Sequence, residues 1–359
     1  MALDTRVESS SASVERSPAR PLSRDQLTAH IAKLGRVRLA HLPTPLEPMP
    51  RLSAAIGGPR ILIKRDDLTG LAFGGNKTRQ LEFLFADIIA SGADTIVAGA
   101  YTQSNWCRQI TAAAAKHGLA VELVLVHGVK GPRLQGNLLL DKLMGANVTV
   151  VDIDDIQRLP PLLEAKVEEQ KAKGRKPYLV SPFGLETSAL SAVGYVNAVC
   201  ELDSQLAEAR ARADYVYLSG ANITPAGILV GARALGWRTR VVAISPVVWE
   251  VDRATDIARI ANATARLLGL DETFAATDLE CHETYMGPRY GVVTDACRRA
   301  IRLAAETDGI ILDPVYTGKA MAALIEHARE RRFGVADTVV FIHSGGLPAL
   351  FAYAEDLGL

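Results

Sequence analysis

Short runs of apolar residues alternate along this chain with longer segments that have the periodicity of helices. The first clear pair is the run TIVAGAY, Thr95–Tyr101, and the helical segment from Ser104 to Gly118. Similar runs follow: VELVLV, NVTVVD, YVYLSG, RVVAIS, GIILD (Gly309–Asp313) and TVVFIHS. Because these runs are largely apolar without a polar face, they are typical of parallel strands that helices cover on both faces. The chain is therefore predicted to be an α/β protein.

The alternating segments form two series, with no sequence repeat and no low-complexity linker between them. This continuity favours two intimately packed parallel-sheet domains, with a cleft between them, over two independent modules. Ligands of parallel sheets bind beyond the carboxyl ends of the strands. Polar residues that follow the strands are therefore the first candidates for a site.

The composition excludes several classes of partner. The chain has 40 Lys and Arg residues and 40 Asp and Glu residues, so its net charge does not favour nucleic acid or an anionic membrane. No apolar run is long enough to span a bilayer. The cysteines are scattered without a C-x-x-C pair, which suggests a reducing, cytoplasmic compartment and argues against a metal site or disulfides. Residues 1–24, rich in Ser, Arg and Pro, are expected to form a disordered tail.

One lysine occupies an unusual position in the segment from Phe73 to Ile89. Entered from Gly74-Gly75, this segment is predicted to be a helix with a core-facing stripe of Leu81, Leu84, Phe85, Ile88 and Ile89. Lys77 lies on the same stripe. A buried amine that loses its proton readily is a nucleophile for carbonyl compounds, so Lys77 is a candidate Schiff-base lysine. The alternative, which this helix by itself favours, is a first-turn lysine whose stem extends to water.

Other polar candidates follow predicted strands. They are Gln103, Ser104 and Asn105; the loop Ser219–Gly227; Asp313–Gly318; and His343–Gly346. The loop Ser219–Gly227 combines backbone N–H groups, the Thr224 hydroxyl and a helix start at Pro225, which make a candidate phosphate site; an ordinary strand-to-helix turn is an equal alternative. Tyr290 and Tyr316 are predicted to lie in loops, where their hydroxyls are either functional or satisfy backbone groups. Asp66 and Asp67 are expected to cap the turn before the lysine helix.

Several longer motifs together resemble one known family. In family order they are LPTPLEPMPRL, IKRDDLTGLAFGGNKTRQLEFL, QSNWCRQITAAAA, GNLLLDKLMGA, GPRYG, LDPVYTGKAM and HSGGLPALFAY. They cover the chain from about Leu39 to its C-terminus and resemble the fold type II pyridoxal-phosphate enzymes, in the branch of 1-aminocyclopropane-1-carboxylate (ACC) deaminases and D-cysteine desulfhydrases. The resemblance implies a tryptophan synthase β-like fold and a homodimer. Residues 25–80 and 190–359 would form a large cofactor-binding domain, and residues 81–189 a small domain.

The resemblance also implies roles for individual residues around a pyridoxal 5'-phosphate (PLP) cofactor. Lys77 would bind PLP covalently, with Asn76 beside it, and Asn105 would hydrogen-bond its phenolic oxygen. The phosphate would be held by Gly220, Ala221, Asn222, Ile223 and Thr224. The small amino-acid substrate would be surrounded by Gln103, Ser104, Trp106, Tyr290 and Tyr316. Lys77, Ser104, Tyr290 and Tyr316 would be the catalytic residues.

Two positions favour the desulfhydrase side of this family. There, the deaminases resemble one another in carrying Glu after the DPVY tyrosine and Leu after the histidine of H-x-G-G, whereas desulfhydrases carry hydroxyl residues, as this chain does at Thr317 and Ser344. A neutral hydroxyl near the pyridine nitrogen leaves that nitrogen less protonated than a carboxylate would, which suits rapid loss of a β-leaving group. The chain is therefore predicted to be a lyase that performs α,β-elimination on a small amino acid such as D-cysteine or cysteate, giving a 2-oxo acid and ammonia.

The chain departs from the family pattern at three places near the cofactor. Asn222 and Ile223 stand where glycines are expected, which makes positive φ angles harder for the phosphate loop. Gln80 replaces a lysine that often follows NKTR, and Trp106 adds bulk after QSN. Two alternatives follow. One is an ACC deaminase, which Thr317 and Ser344 disfavour; the other is a binding module with little or no PLP affinity, which the retained site residues disfavour.

Overall fold

The computed structural model describes residues 20–181 and 183–358. The predicted tail, residues 1–24, lies mostly outside the described residues. Near its end, Ser23 caps the first helix by accepting a hydrogen bond from Gln26 N (3.2 Å), and the helix begins at Arg24. The predicted boundary at residue 24 is therefore slightly late.

The described residues form α-helices and β-strands in near-regular alternation. The helices are α1 (Arg24–Ile31), α2 (Pro50–Ala55), α3 (Asn76–Ala90), α4 (Asn105–His117), α5 (Gly136–Leu143), α6 (Pro160–Ala172), α7 (Leu185–Glu208), α8 (Ile223–Ala234), α9 (Arg253–Leu268), α10 (Asp295–Asp308), α11 (Thr317–Arg329) and α12 (Leu347–Ala352). The strands are β1 (Leu46–Pro48), β2 (Arg60–Lys64), β3 (Thr95–Tyr101), β4 (Ala120–Val126), β5 (Asn147–Val151), β6 (Pro177–Val180), β7 (Tyr215–Ser219), β8 (Arg240–Ile244), β9 (Glu280–His282) and β10 (Thr338–Ile342).

The strands form two sheets. One has the order β1-β2-β10-β7-β8-β9 and the other the order β5-β4-β3-β6. All pairings are parallel except that of β1 with β2. The predicted α/β class with two parallel sheets is confirmed. The strands of the second sheet all lie between residues 95 and 180, which supports the proposed division into units 25–80 plus 190–359 and 81–189; that division stays a prediction.

Three local predictions are wrong. Gly309–Asp313 is not a strand, because β10 already pairs with β2 on one side and β7 on the other; a hydrogen bond instead joins Ile311 O to His343 Nε2 (3.0 Å). Ile89 is 43% exposed and lies off the core-facing stripe of α3, whereas Phe83 is buried. Asp66 and Asp67 do not cap a turn with their side chains, since each pairs with an arginine.

A buried ion network anchors α3 to α7. The Arg79 guanidinium donates to both carboxylate oxygens of Asp66 (2.8 and 3.0 Å) and of Glu201 (2.8 and 3.0 Å). Lys64 Nζ also contacts Glu201 (2.5 Å), and Tyr195 donates its hydroxyl to Asp66 (2.6 Å). Burial alone would raise the pKa of the Asp66 carboxyl, but the Arg79 charge and hydrogen bonds hold it below its ordinary value. The network fixes the helix that carries Lys77.

No helix in the described ranges, 20–181 and 183–358, is long and apolar enough to cross a membrane.

Replacing Arg79 with methionine should lower the free energy of unfolding by about 3–5 kcal/mol, because the buried carboxylates would lose their shared cation. Urea denaturation followed by circular dichroism measures this change. The matched control is Arg266→Met, at an exposed position of α9, where we expect a change below about 0.5 kcal/mol. Equal losses in the two variants would contradict a special role for the network.

Candidate active site

A cavity opens where the carboxyl ends of the two sheets face each other. Its empty volume is about 1080 Å³. Residues that follow β3, β7, β8 and β10 line it, so both sheets contribute. Helices α3, α4 and α8 begin at its wall, with Asn76, Asn105 and Ile223 as their first residues. The N-terminal ends of helices favour anions, so the backbone itself makes this cavity electropositive.

Lys77 faces this cavity from the first turn of α3. Burial lowers the pKa of its amine to about 8; nearby Asp313 opposes this shift, and Arg108 adds to it. Among the described residues, Lys77 is the only charged side chain that lines the cavity. An amine that is partly neutral near pH 8 is a competent nucleophile.

The loop before α3 needs its glycines. Gly74 and Gly75 have φ angles of 63° and 122°, and a Cβ on Gly74 would lie 2.1 Å from the Asp67 carbonyl oxygen. Two buried side chains of α4 hold this loop: Arg108 Nη2 donates to Gly74 O (3.1 Å), and Gln109 Nε2 donates to the same oxygen (2.8 Å). The loop therefore delivers Lys77 to a fixed place.

The predicted phosphate loop, Gly220–Thr224, lines the cavity at the start of α8. None of its residues has a positive φ angle. Asn222 has φ −159° and ψ −91°, and its own Oδ1 accepts a hydrogen bond from Ile223 N (2.7 Å). Asn222 and Ile223 therefore need no positive φ angle in this structure, because the helix begins where such an angle was expected.

Thr224, in the first turn of α8, accepts hydrogen bonds from two other side chains that line the cavity. Its Oγ1 accepts hydrogen bonds from Asn76 Nδ2 (2.9 Å) and Gln80 Nε2 (2.8 Å). Both acceptor positions of the hydroxyl are thereby filled, so its proton remains available for an anion. Asn76 and Gln80, which also line the cavity, thus hold the Thr224 hydroxyl so that its proton can point into the cavity.

A pair of tyrosines lines the same cavity as Lys77. The hydroxyl oxygens of Tyr290 and Tyr316 are 2.6 Å apart, and the Tyr290 ring stacks on Tyr101 with centroids 4.2 Å apart. Burial raises the pKa of both Tyr290 and Tyr316 above the ordinary value. Both hydroxyls are therefore protonated at neutral pH and form a donor pair in which one proton is shared and one is free.

The structure brings most of the predicted site residues together. Those that line the cavity are Asn76, Lys77, Ser104, Asn105, Trp106, Gly220, Ala221, Asn222, Ile223, Thr224, Tyr290, Tyr316 and Ser344. Ser104 also caps α4, accepting from Cys107 N (3.2 Å).

Two predicted residues lie outside the cavity lining. Gln103 is buried, where its amide bonds Asn137 N (2.9 Å) and Gln135 O (3.0 Å). Thr317 is also buried: its Oγ1 donates to Asp313 Oδ1 (2.7 Å) and accepts from Asp313 N (2.8 Å). Both side chains form their hydrogen bonds with neighbouring protein groups and present none to the cavity. Of the two hydroxyls expected near the pyridine nitrogen, only that of Ser344 lines the cavity.

The cavity also has walls that sequence analysis missed. They include Tyr101, Ile156, Ser181, Thr187, Ser188, Ser191, Pro246, Val247 and Trp249. Tyr101 ends β3, and residues 246–249 follow β8, so the strand-end rule could have found them. The α7 serines carry no such signal, because Ser188 and Ser191 are ordinary residues of a long helix.

Comparisons with known proteins agree with this architecture. The model of the family described as pyridoxal-phosphate dependent enzyme matches residues 37–345. A D-cysteine desulfhydrase of Salmonella paratyphi C (strain RKS4594) is 38% identical over 329 residues, covering 90% of this chain and 98% of that protein. An ACC deaminase of Burkholderia vietnamiensis (strain G4 / LMG 22486) is 40% identical over 334 residues, covering 91% and 98%.

Two solved structures are similar to this one. An ACC deaminase homologue superposes with a TM-score of 0.84 at 36% identity, covering 92% of this chain and 98% of that one. A threonine deaminase of T.th. superposes with a TM-score of 0.61 at 19% identity, covering 90% and 96%, and shows the likeness of fold alone. With a matching family model and relatives of this identity, the chain belongs to the pyridoxal-phosphate dependent enzymes of fold type II.

Proposed function

We propose that this enzyme catalyses α,β-elimination from a small amino acid whose β-substituent is uncharged, such as the thiol of D-cysteine. The observation that carries the proposal is the Tyr290–Tyr316 hydroxyl pair, which lines the same cavity as Lys77. The tyrosine pair is protonated at neutral pH and can donate a proton, whereas the Lys77 amine, once neutral, can accept one. Elimination needs this combination of an acid and a base.

The residues present fit PLP. The Lys77 amine suits covalent attachment of an aldehyde, and the start of α8 with the free Thr224 proton suits a phosphate. Asn105 would hold the phenolic oxygen, and Ser344 would face the ring. PLP, when bound, withdraws electrons from the substrate Cα, which makes the proton there acidic.

Lys77 would act as the base once the substrate takes its place on the cofactor. Its amine, with a pKa of about 8, would then accept the Cα proton, and the electron pair would form the Cα–Cβ double bond while the Cβ–S bond breaks. The departing thiolate would take a proton from the Tyr290–Tyr316 pair. Ser104, at the N-terminus of α4, would bind the substrate carboxylate.

Apart from the helix N-termini, which suit the phosphate and the substrate carboxylate, the cavity lining favours an uncharged β-substituent over a sulfonate. Lys77 would bind the cofactor and act as the base, and no second charged side chain lines the cavity among the described residues. Tyr101, Ile156, Val247 and Trp249 instead give the wall an apolar character. A sulfonate such as that of cysteate would lose its hydration without a cation to replace it. D-cysteine is thus the preferred substrate, and cysteate a poor one.

An ACC deaminase is the second candidate function, favoured by the 40% identity to the Burkholderia protein. Thr317 and Ser344 speak against it, because the deaminases resemble one another in carrying Glu and Leu at these two positions. On the family resemblance we also propose a homodimer. The described cysteines are all free thiols, which supports a reducing, cytoplasmic setting.

A substrate panel tests the proposal. Purified holoenzyme should release pyruvate, sulfide and ammonia from D-cysteine, with kcat/KM at least roughly tenfold above that for L-cysteine, cysteate or ACC. A coupled assay for 2-oxo acids and a methylene blue assay for sulfide measure the products. Release of 2-oxobutanoate from ACC at a higher kcat/KM would overturn elimination in favour of the deaminase.

Replacing Tyr316 with phenylalanine should lower kcat on D-cysteine by roughly 10²-fold, because the leaving thiolate loses its paired proton donor. PLP affinity should stay within about twofold, since this hydroxyl has no proposed contact with the phosphate. The matched control is Tyr178→Phe, whose hydroxyl bonds Asp87 away from the cavity and whose loss should leave kcat unchanged. An unchanged rate in Tyr316→Phe would reduce Tyr316 to a packing role.

The pKa of Lys77 predicts how apoenzyme takes up PLP. Only the neutral amine attacks an aldehyde, and a pKa lowered to about 8 means that this form grows with pH and dominates above that value. The rate constant for covalent uptake, followed by visible absorbance, should therefore rise up to about pH 8 and then level. N-acetyl-lysine amide, the control for the titration of PLP itself, should keep rising toward about pH 10. A protein profile that follows this control would refute the lowered pKa.

A further inference from the structure

Asn137, on the first turn of α5, is fully buried and uses every polar atom of its side chain. Its Oδ1 accepts a hydrogen bond from Arg108 Nε (2.7 Å). Its Nδ2 donates to the backbone oxygen of Gln103 and to Asn105 Oδ1, both at 2.9 Å. This buried amide therefore connects an arginine of α4 with the cavity residue Asn105.

The chemistry of the partners fixes which way the Asn137 amide points. A guanidinium only donates hydrogen bonds and a backbone carbonyl only accepts them. The oxygen of Asn137 must therefore face Arg108, and its nitrogen must face Gln103 O. The same nitrogen faces Asn105, so the atom that Asn105 turns toward it must be an acceptor.

This constraint decides what Asn105 presents to the cavity. Its Oδ1 is occupied by Asn137 Nδ2 and lies 3.5 Å from Arg108 Nη2. Its Nδ2 has no hydrogen-bond partner among residues 20–181 and 183–358, and Asn105 lines the cavity. Asn105 thus presents a hydrogen-bond donor, its Nδ2, to the cavity, and not an acceptor.

We propose that Asn137 is a positioning residue that, together with Arg108, sets the orientation of the Asn105 amide so that its N–H group faces the phenolic oxygen of PLP. The proposal rests on the proposed function, in which Asn105 contacts that oxygen. Free in solution, an asparagine side chain presents oxygen or nitrogen with similar ease. Here the wrong orientation would place the Asn105 nitrogen against the Asn137 nitrogen, two donors with no acceptor between them. The hydrogen bonds from Arg108 to Asn137 and from Asn137 to Asn105, which we call the relay, therefore exclude this wrong orientation of Asn105 even without the cofactor.

Arg108 is suited to begin this relay. It is fully buried, it donates to the backbone oxygens of Ala72 and Gly74, and it therefore cannot turn away from Asn137 without releasing the loop that precedes α3. Because Arg108 can only donate hydrogen bonds, it orients the Asn137 amide, and the Asn137 amide in turn orients the Asn105 amide that lines the cavity.

Two substitutions of Asn137 separate orientation from packing. Asn137→Asp keeps the shape and can still accept from Arg108, but it has no donor for Gln103 O or for Asn105. The Asn105 amide should then rotate and turn its oxygen to the cavity. Asn137→Ala leaves a small void and allows the Asn105 amide to adopt either orientation. We expect the dissociation constant of PLP to rise roughly tenfold or more in Asn137→Asp and by less in Asn137→Ala. A packing role predicts the reverse order, because Asp has the size of Asn.

The measurement is a titration of apoprotein with PLP, read by visible absorbance, with thermal melting of each apoprotein to monitor the fold. Asn147→Asp, which adds the same charge at an exposed position on β5, should bind PLP like the wild type. In Asn105→Ala the orientation no longer matters, so adding Asn137→Asp to it should cause little further loss of PLP affinity.

Three results would overturn the proposal. An affinity order with Ala weaker than Asp would assign Asn137 to packing, and additive losses in the double variant would disconnect it from Asn105. Both would leave the proposed function standing if Asn105→Ala alone weakens PLP binding. Wild-type affinity in Asn105→Ala would remove the proposed contact with the cofactor as well, and with it this inference.

Discussion

The position of Lys77 depends on the buried guanidinium of Arg79, two residues further along α3. Arg79 is held by Asp66, which follows β2, and by Glu201 of α7, so one side chain joins the lysine helix to the first sheet and to the longest helix. Gly194 lets α7 come this close, since a Cβ there would lie 2.3 Å from Arg79 O. A buried ion pair contributes little net stability when complete, but its geometry is expensive to disturb. Its effect here is to specify where α3 lies.

Arg108 constrains the other side of the same lysine. It binds carbonyl oxygens of the loop before α3, in which Ala72 and Phe73 as well as both glycines have positive φ angles. Such a backbone persists only when its surroundings hold it. The positive charge of Arg108 also contributes to the lowered pKa of Lys77, after burial. The residue that positions the Lys77 amine therefore also makes this amine easier to deprotonate.

The apolar runs predicted the α/β fold, and the site residues were expected together from two sources: the convergence of strand ends in parallel sheets and the family resemblance. Sequence analysis placed Ser104, Asn105, the Gly220–Thr224 loop and Ser344 at one cavity. It could not tell which polar side chains at those ends point inward: Gln103 and Thr317 have the right places in the chain but bind α5 and Asp313 instead. The edge strand β6 was missed because it is only partly buried, and Gly309–Asp313 was mistaken for a strand because an apolar run does not reveal whether a neighbouring strand is free.

The end of the cavity at the start of α8 shows how a departure from a family pattern can avoid positive φ angles and still alter the electrostatics. Asn222 and Ile223 fit because α8 starts early enough to avoid positive φ angles, with Asn222 capping its own helix. Gln80, in contrast, replaces a charge with an amide that reaches the cavity through Thr224. An anion bound here would be held by the helix dipole and by neutral donors, whose attraction is weaker than that of a lysine. No second cation lines the cavity in the described part of the chain, so burial and the opposing charges of Asp313 and Arg108 set the Lys77 pKa. Under the proposed function, both cofactor attachment and proton removal would depend on this pKa.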